Sequence, residues 1–213
     1  MMEKFQKLNA VAVPMLHNNI DTDAMIPAAY MKTLKSDFGR DLFHHLRYNT
    51  DGSENPDFIL NKPEYRPAKI IVSHNNFGCG SSREAAVWAL LGYGIRAVVA
   101  ESYGDIFYNS SFRMGLLPIM LPRQELHALG EAVEKAGGKK NTSVDLEAQT
   151  ITSPDGTVYP FQIEATRKRI LLEGLDGVGL TLLHADAIAA FQQKDRARRP
   201  WVHDIGLSSG TPV

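Results

Sequence analysis

Cysteine is nearly absent: Cys79 stands alone among 213 residues. No disulfide can close within the chain, and no iron–sulfur cluster or multi-cysteine zinc site can be held by it. Metal chemistry would need histidine and carboxylate ligands, or a partner's. Charge of one sign is missing as well. The 23 basic and 24 acidic residues leave a net charge of −1, which excludes the broad basic surface of a general nucleic-acid or membrane-surface binder. No apolar run approaches the ~20 residues of a membrane span, and the opening MMEKFQKLNA has no signal-peptide core. A cytoplasmic protein is expected. Internal repeats and low-complexity blocks are lacking too. What is there is ordinary: 44% apolar and 22% charged residues suffice for one large domain with a buried core.

The middle of the chain carries the clearest pattern. Residues 69–73 (KIIVS) and 97–100 (AVVA) read as short buried strands, 83–91 and 105–114 as helices, and 118–121 (PIML) as a third strand. That β-α-β-α-β order predicts an α/β fold with a parallel sheet and crossover helices. A helix over 124–136 follows, with Leu126, Leu129 and Val133 on one face and Gly137-Gly138 as its stop. Strands over 144–146, 150–152 and 158–163 flank Pro154-Asp155-Gly156, so a small antiparallel unit is expected beside the core. Earlier in the chain, 10–13 reads as a strand ending at Pro14 and 41–47 as a short helix. Residues 48–67, rich in Asn, Asp and Pro, read as an irregular loop inside the domain. Helices over 166–172 and 182–193 close a domain spanning residues 1–193, and 194–213 reads as a loosely held tail.

Chemistry concentrates in the turn Asn76-Phe77-Gly78-Cys79-Gly80-Ser81-Ser82-Arg83-Glu84, between a strand and a helix. Its glycines let backbone approach a ligand, and the N–H groups of the new helix attract an anion. Ser81 and Ser82 add hydroxyls; Arg83 adds a planar fork suited to carboxylate or phosphate. The bland alternative is a capping box, with Ser81 starting the helix and Glu84 returning the bond. Three motifs fare differently here. A nucleophile elbow fails because Glu84 stands where its second glycine belongs, and a phosphate loop fails for want of a lysine. A dinucleotide fingerprint fits Gly78 and Gly80 but meets Arg83 at its third glycine, while Glu101 stands where a ribose-binding acid would fall. A nucleotide- or anion-binding module is therefore the rival to an enzyme.

Four segments, in order, carry a resemblance: Asp21-Thr22-Asp23-Ala24-Met25-Ile26-Pro27, the turn Asn76 to Glu84, Asp105-Ile106-Phe107-Tyr108-Asn109, and Gly115-Leu116-Leu117-Pro118. Echoes recur at Asn55-Pro56-Asp57-Phe58, Asp145-Leu146-Glu147 and Gly179-Leu180-Thr181-Leu182. Over residues 8–193 the chain resembles the mobile domain of the aconitase superfamily, in the form of a separate dehydratase small subunit. The resemblance implies a swivelling β/β/α domain that supplies half of an active site. It implies a large subunit as heterodimer partner, carrying a 4Fe–4S cluster, with no cofactor or metal on this chain and a small dicarboxylate as substrate. By motif position Ser81 would take and return the proton, Arg83 would clamp a carboxylate, Ser82 would orient it, and Gly80 would line it. Lys32, Thr33 and Lys35 would lie in the loop that reads the substrate's variable group, flanked by Met31 and Leu34. Asp21 and Asp23 are expected to serve turns and helix starts.

Two departures bear on the substrate. The family's Arg-Glu-His-Ala is here Arg83-Glu84-Ala85-Ala86, and its basic-Thr-Gly-Phe-Gly stretch is Lys35-Ser36-Asp37-Phe38-Gly39. An isopropylmalate-type dehydratase of leucine biosynthesis is the first reading; a relative acting on methylmalate, dimethylmalate or another hydroxy diacid is the second. The seven histidines show no metal spacing, and His44-His45 is expected at the surface. Val87 and Trp88 are expected in the core. The arginines at 196, 198 and 199 read as a solvated tail or an arm for an acidic partner. Nothing interleaves basic and aromatic residues as RNA binding would require.

Overall fold

The computed structural model describes residues 2–31, 37–80 and 83–203. Its chain divides into two compact units, Met1–Asp176 and Gly177–Val213.

In the first unit a single residue, Val11, separates strand β1 (Lys7–Ala10) from strand β2 (Ala12–Met15), and there the chain leaves one sheet for another. This corrects the single strand expected over 10–13. Pro14 does not end it but lies inside β2, opposite Val72. This is tolerated because β2 is an edge strand whose outer side needs no N–H. β2 is followed across the sheet by β3 (Ile70–Ser73), β4 (Ala97–Ala100) and β5 (Leu117–Met120), all parallel and in sequence order. Pro118 falls on the other edge, in β5, by the same logic. The two central strands contain no proline. β1 joins β6 (Thr142–Asp145), β7 (Thr150–Thr152) and β8 (Val158–Pro160) in an antiparallel sheet.

Alternation along the strands splits the apolar residues between two cores. Val13, Met15, Ile71, Val98 and Ala100 point to one face. They pack there with Met25, Phe43, Ala86, Val87 and Leu90. Ala12, Ile70, Val72, Val99 and Ile119 point to the other. Leu126, Leu129 and Val133 cover them, together with Val144, Ile151 and Tyr159, which stand in register across the antiparallel sheet. Each such side chain contributes about 1.5–3 kcal/mol on burial. The layers are therefore helices, parallel sheet, then antiparallel sheet with its helix: the expected β/β/α arrangement.

Seven helices of this unit among the described residues complete it: α1 (Thr22–Met25), α2 (Phe38–Asp41), α3 (His44–Arg47), α4 (Glu84–Tyr93), α5 (Asp105–Met114), α6 (Arg123–Ala136) and α7 (Ala165–Glu173). The short helix expected over 41–47 is two helices, broken where Phe43 takes a left-handed conformation (φ 51°). Arg47 explains why the break holds. Its buried guanidinium donates to the carbonyls of Gly39 (3.2 Å), Arg40 (3.0 Å) and Leu42 (3.3 Å), which end α2. It also lies over the rings of Tyr48 and Tyr93. Its Nε donates to Asn61, whose amide returns bonds to the carbonyls of Arg47 and Asn55. The loop 48–67 is irregular, as expected, but it is ordered by this network and puts Leu60 and Tyr65 into the core.

The second unit is helical: α8 (Gly177–Leu182), α9 (Ala185–Arg198) and α10 (Pro200–His203). Here the sequence reading needs correction. Helix continues five residues past 193, and residues 200–203 form another turn.

Candidate active site

The glycine turn leaves β3 at the carboxyl edge of the parallel sheet. Neighbouring connections hold it from both sides. Gly78 N donates to Ile20 O (2.7 Å) and Thr22 N to Cys79 O (2.9 Å) on one side. Phe77 N donates to Ser102 O (3.0 Å) and Gly104 N to Phe77 O (2.9 Å) on the other. Two asparagine pairs lock its start, since Asn18 Oδ1 accepts from Asn75 N (3.1 Å) and Asn76 Nδ2 donates to Asn19 Oδ1 (2.8 Å). Phe77 is fully buried and packs edge-on against Phe107 and Tyr103.

The two glycines answer different needs. Gly78 (φ +72°) presses on Phe107, whose Cγ would lie 2.2 Å from an added Cβ. Gly80 (φ +91°) meets nothing closer than 3.4 Å, so only its left-handed backbone requires glycine there. Gly80 is solvent-exposed, so the turn opens outward at the expected ligand position.

Arg83 is tied back on the far side of the turn. Its Nη1 contacts Asp23 Oδ1 at 2.5 Å and donates to Ile26 O at 3.2 Å. Asp21 caps α1, accepting from Ala24 N at 2.6 Å, as its sequence setting predicts. Asp23 does more than start a helix, because it positions the guanidinium. No local signal could show that, with sixty residues between the partners. Both contacts use only Nη1. α4 starts at Glu84 with Arg83 as its cap residue, whose side chain makes no cap bond, and the capping-box reading turns on Ser81, outside the described residues. Of the other candidates, Ser81, Ser82, Lys32, Thr33 and Lys35 lie outside the described residues, and Gly80 and Arg83 are brought to the same turn.

Burial and then the Asp21 carboxylate push the Cys79 thiol up, away from the thiolate form. Among the described residues no group of three His, Cys, Asp or Glu is placed to hold a metal. The dinucleotide reading fails on topology. The strands run in sequence order without the reversal that opens a nucleotide crevice. Glu101 instead faces His74, Arg123 and His127 across a separate cleft of about 200 Å³. Two sequence expectations are corrected as well. Trp88 is exposed on α4, tilted against Phe38. His44 is half-buried, stacked on Tyr30 with a 2.9 Å bond between the Tyr30 hydroxyl and Nδ1.

Comparison with known proteins agrees with this geometry. The family model of the aconitase C-terminal domain matches residues 2–124 and the LeuD_N model residues 129–165. The model for the C-terminal domain of 3-isopropylmalate dehydratase small subunits matches residues 178–205. The 3-isopropylmalate dehydratase small subunit of Dinoroseobacter shibae is 52% identical over 202 residues, covering 94% of this chain and all of that one. Those of Ruegeria pomeroyi (50%) and Mesorhizobium japonicum (51%) match over the same shares. A crystal structure of 3-isopropylmalate dehydratase from Methanocaldococcus jannaschii superposes with a TM-score of 0.60 at 25% identity, over 89% of this chain and 99% of that one. No helix among the described residues is long and apolar enough to cross a membrane. Fold, turn and relatives converge: the chain belongs to the 3-isopropylmalate dehydratase small-subunit family, hydro-lyase subunits built on the aconitase C-terminal domain.

Proposed function

We propose that this chain is the small subunit of a cytoplasmic 3-isopropylmalate dehydratase of leucine biosynthesis. It would interconvert 2- and 3-isopropylmalate by loss and re-addition of water, with a large subunit as heterodimer partner. The observation that carries this reading is the outward-opening Gly80 beside an anchored Arg83, in a chain half identical to such subunits over 94% of its length. A carboxylate of the substrate accepts two parallel bonds from the Arg83 fork, while Gly80 lets the backbone come close and Ser82 orients the group. Ser81 takes the proton from the carbon next to that carboxylate as the hydroxyl leaves the neighbouring carbon; on rehydration the hydroxyl adds to the first carbon and Ser81 returns the proton to the second. A serine is a weak base, and the N–H groups opening α4 stabilise its alkoxide. Lys32, Thr33 and Lys35 lie in the loop that contacts the substrate's alkyl end. A 4Fe–4S cluster does not fit this chain, because Cys79 is its one cysteine. We assign the cluster to the large subunit.

Ala85 favours a second reading. It is buried in the first turn of α4, where an apolar methyl stands in place of the family's histidine. A methylmalate or dimethylmalate dehydratase would share every carboxylate contact and differ only at the alkyl pocket. One methylene there is worth about 1–3 kcal/mol, a ten- to two-hundredfold preference. Measuring kcat/KM of the two-subunit complex on isopropylmalate, methylmalate and dimethylmalate separates the readings. Preference for isopropylmalate by at least tenfold is expected. Equal or reversed preference would assign the enzyme to the relative.

A further inference from the structure

Apolar exposure is concentrated in one place. Of the large hydrophobic side chains exposed among the described residues, seven fall between residues 178 and 202: Val178, Leu182, Leu183, Ile188, Phe191, Trp201 and Val202. Val178, Leu182, Phe191 and Trp201 are each more than 60% exposed. They are not scattered. Val178 and Leu182 are four apart on α8, and Ile188 and Phe191 three apart on α9, so each pair shares a helix face. Together they present several hundred Å² of apolar surface, the scale of one partner's share, ~800 Å², of a standard interface. A soluble single chain seldom leaves that much uncovered.

We propose that this helical unit is the arm by which the chain docks on its large subunit, in an apolar groove with a carboxylate rim. The inference rests on the reading of the chain as a dehydratase small subunit. Three observations choose the occupant. First, the aconitase C-terminal model ends at residue 124, whereas residues 178–205 match a model named for the small subunit alone. A domain that ends a longer chain is held by its peptide linker, which keeps its effective concentration high. A separate subunit must replace that linker with binding surface, and this unit, with residues 129–165, is what lies beyond the aconitase model. Second, the unit carries its own charge. Lys194, Arg196, Arg198 and Arg199 stand against Asp186, Asp195 and Asp204, a balance of +1 in a chain whose overall charge is −1. Third, the apolar groups are held in place beforehand. Asp195 accepts from Arg199 (2.7 Å) and pairs with His203 Nε2 (2.9 Å), which fastens α10, with Trp201 and Val202, to the end of α9. Preorganisation of this kind lowers the entropic cost of binding. Arg196 and Arg198 are left to face acidic groups at the rim.

The test uses the full chain and the cluster-bearing large subunit of the same organism, with affinity measured by titration calorimetry and turnover followed in parallel. Phe191→Asp should raise Kd by at least ~30-fold, as for an interface hot spot. The isolated variant should melt where the parent melts, and kcat should return at saturating chain. Arg196→Glu with Arg198→Glu should raise Kd by ~10-fold and flatten its salt dependence. Parental affinity in both variants overturns the proposal. So does a lower melting temperature with unchanged Kd, which would mean the face packs on its own chain. Loss of a self-dimer with unchanged Kd overturns it too, since a second copy would then be the occupant. A parental complex that binds tightly, loses affinity with Phe191→Asp, and yet dehydrates no hydroxy diacid would sink the activity reading and keep the docking arm.

Discussion

Arg83 and the two glycines of the turn show how much one residue decides. The Asp23 pair is half exposed, so it contributes at most about 1 kcal/mol to stability and mainly aims the fork. Arg83→Lys should therefore leave the denaturation midpoint nearly unchanged while raising KM for the diacid about tenfold, since an ammonium cannot make two parallel bonds. A variant with parental KM that unfolds earlier would assign Arg83 to structure alone. The glycines predict an ordering. Gly80→Ala should cost about 1 kcal/mol for its left-handed backbone. Gly78→Ala should cost more, because its Cβ would collide with a Phe107 ring that Phe77 and Tyr103 pin in place. Urea denaturation of both variants checks this, and equal losses would contradict it. At this scale the sequence was informative about residue type and blind to partners. Gly78, Gly80 and Arg83 announce themselves in one motif, whereas the Asn18, Asn19 and Asp23 contacts span about sixty residues.

Elements near the site depend on close crossings. Gly39 and Gly92 bring α2 against α4, and a Cβ at Gly39 would lie 2.4 Å from the Gly92 carbonyl group. Backbone stands on both sides, so Gly39→Ala should destabilise by about 1–3 kcal/mol, read as a lower melting temperature. An unchanged one would mean that α2 can slide. The glycine retained at the end of the altered Lys35-Ser36-Asp37-Phe38-Gly39 segment thus has a packing reason. Arg47 makes the neighbouring crossing possible, and nothing in the sequence marks it, since a lone arginine before a polar loop reads as solvated. His44 sets a pH dependence. Burial first of all, only partly offset by Asp41, lowers its pKa from 6.5, so the folded state prefers the neutral ring. Its contribution is present above pH 6.5 and is lost as pH falls below it. Stability should decline from pH 7.5 to 5.5, and His44→Gln should flatten that decline. An identical slope in the variant would remove His44 from the account. Strand and helix spans were legible wherever burial imposed a period, as in 97–100 and 105–114. They were misjudged where a single hinge residue, Val11 or Phe43, cut one expected element into two.

As a molecule, the chain is a layered α/β unit that presents one loaded edge, together with a helical unit whose apolar faces are exposed. The parallel sheet was readable from β-α-β-α-β order, but the place of β2 beside β3 was not, because nothing local tells an edge strand which neighbour to take. Likewise the antiparallel sheet needed β1, which is most of the chain away from β6. The most direct test is turnover of 2-isopropylmalate by this chain alone, the large subunit alone, and their anaerobic mixture with the parent or with Ser81→Ala. Only the parental mixture should turn over at full rate, and Ser81→Ala should lower kcat by about 10²-fold or more while still binding the large subunit. Turnover by the isolated chain, or a Ser81→Ala mixture as fast as the parent, would contradict the account.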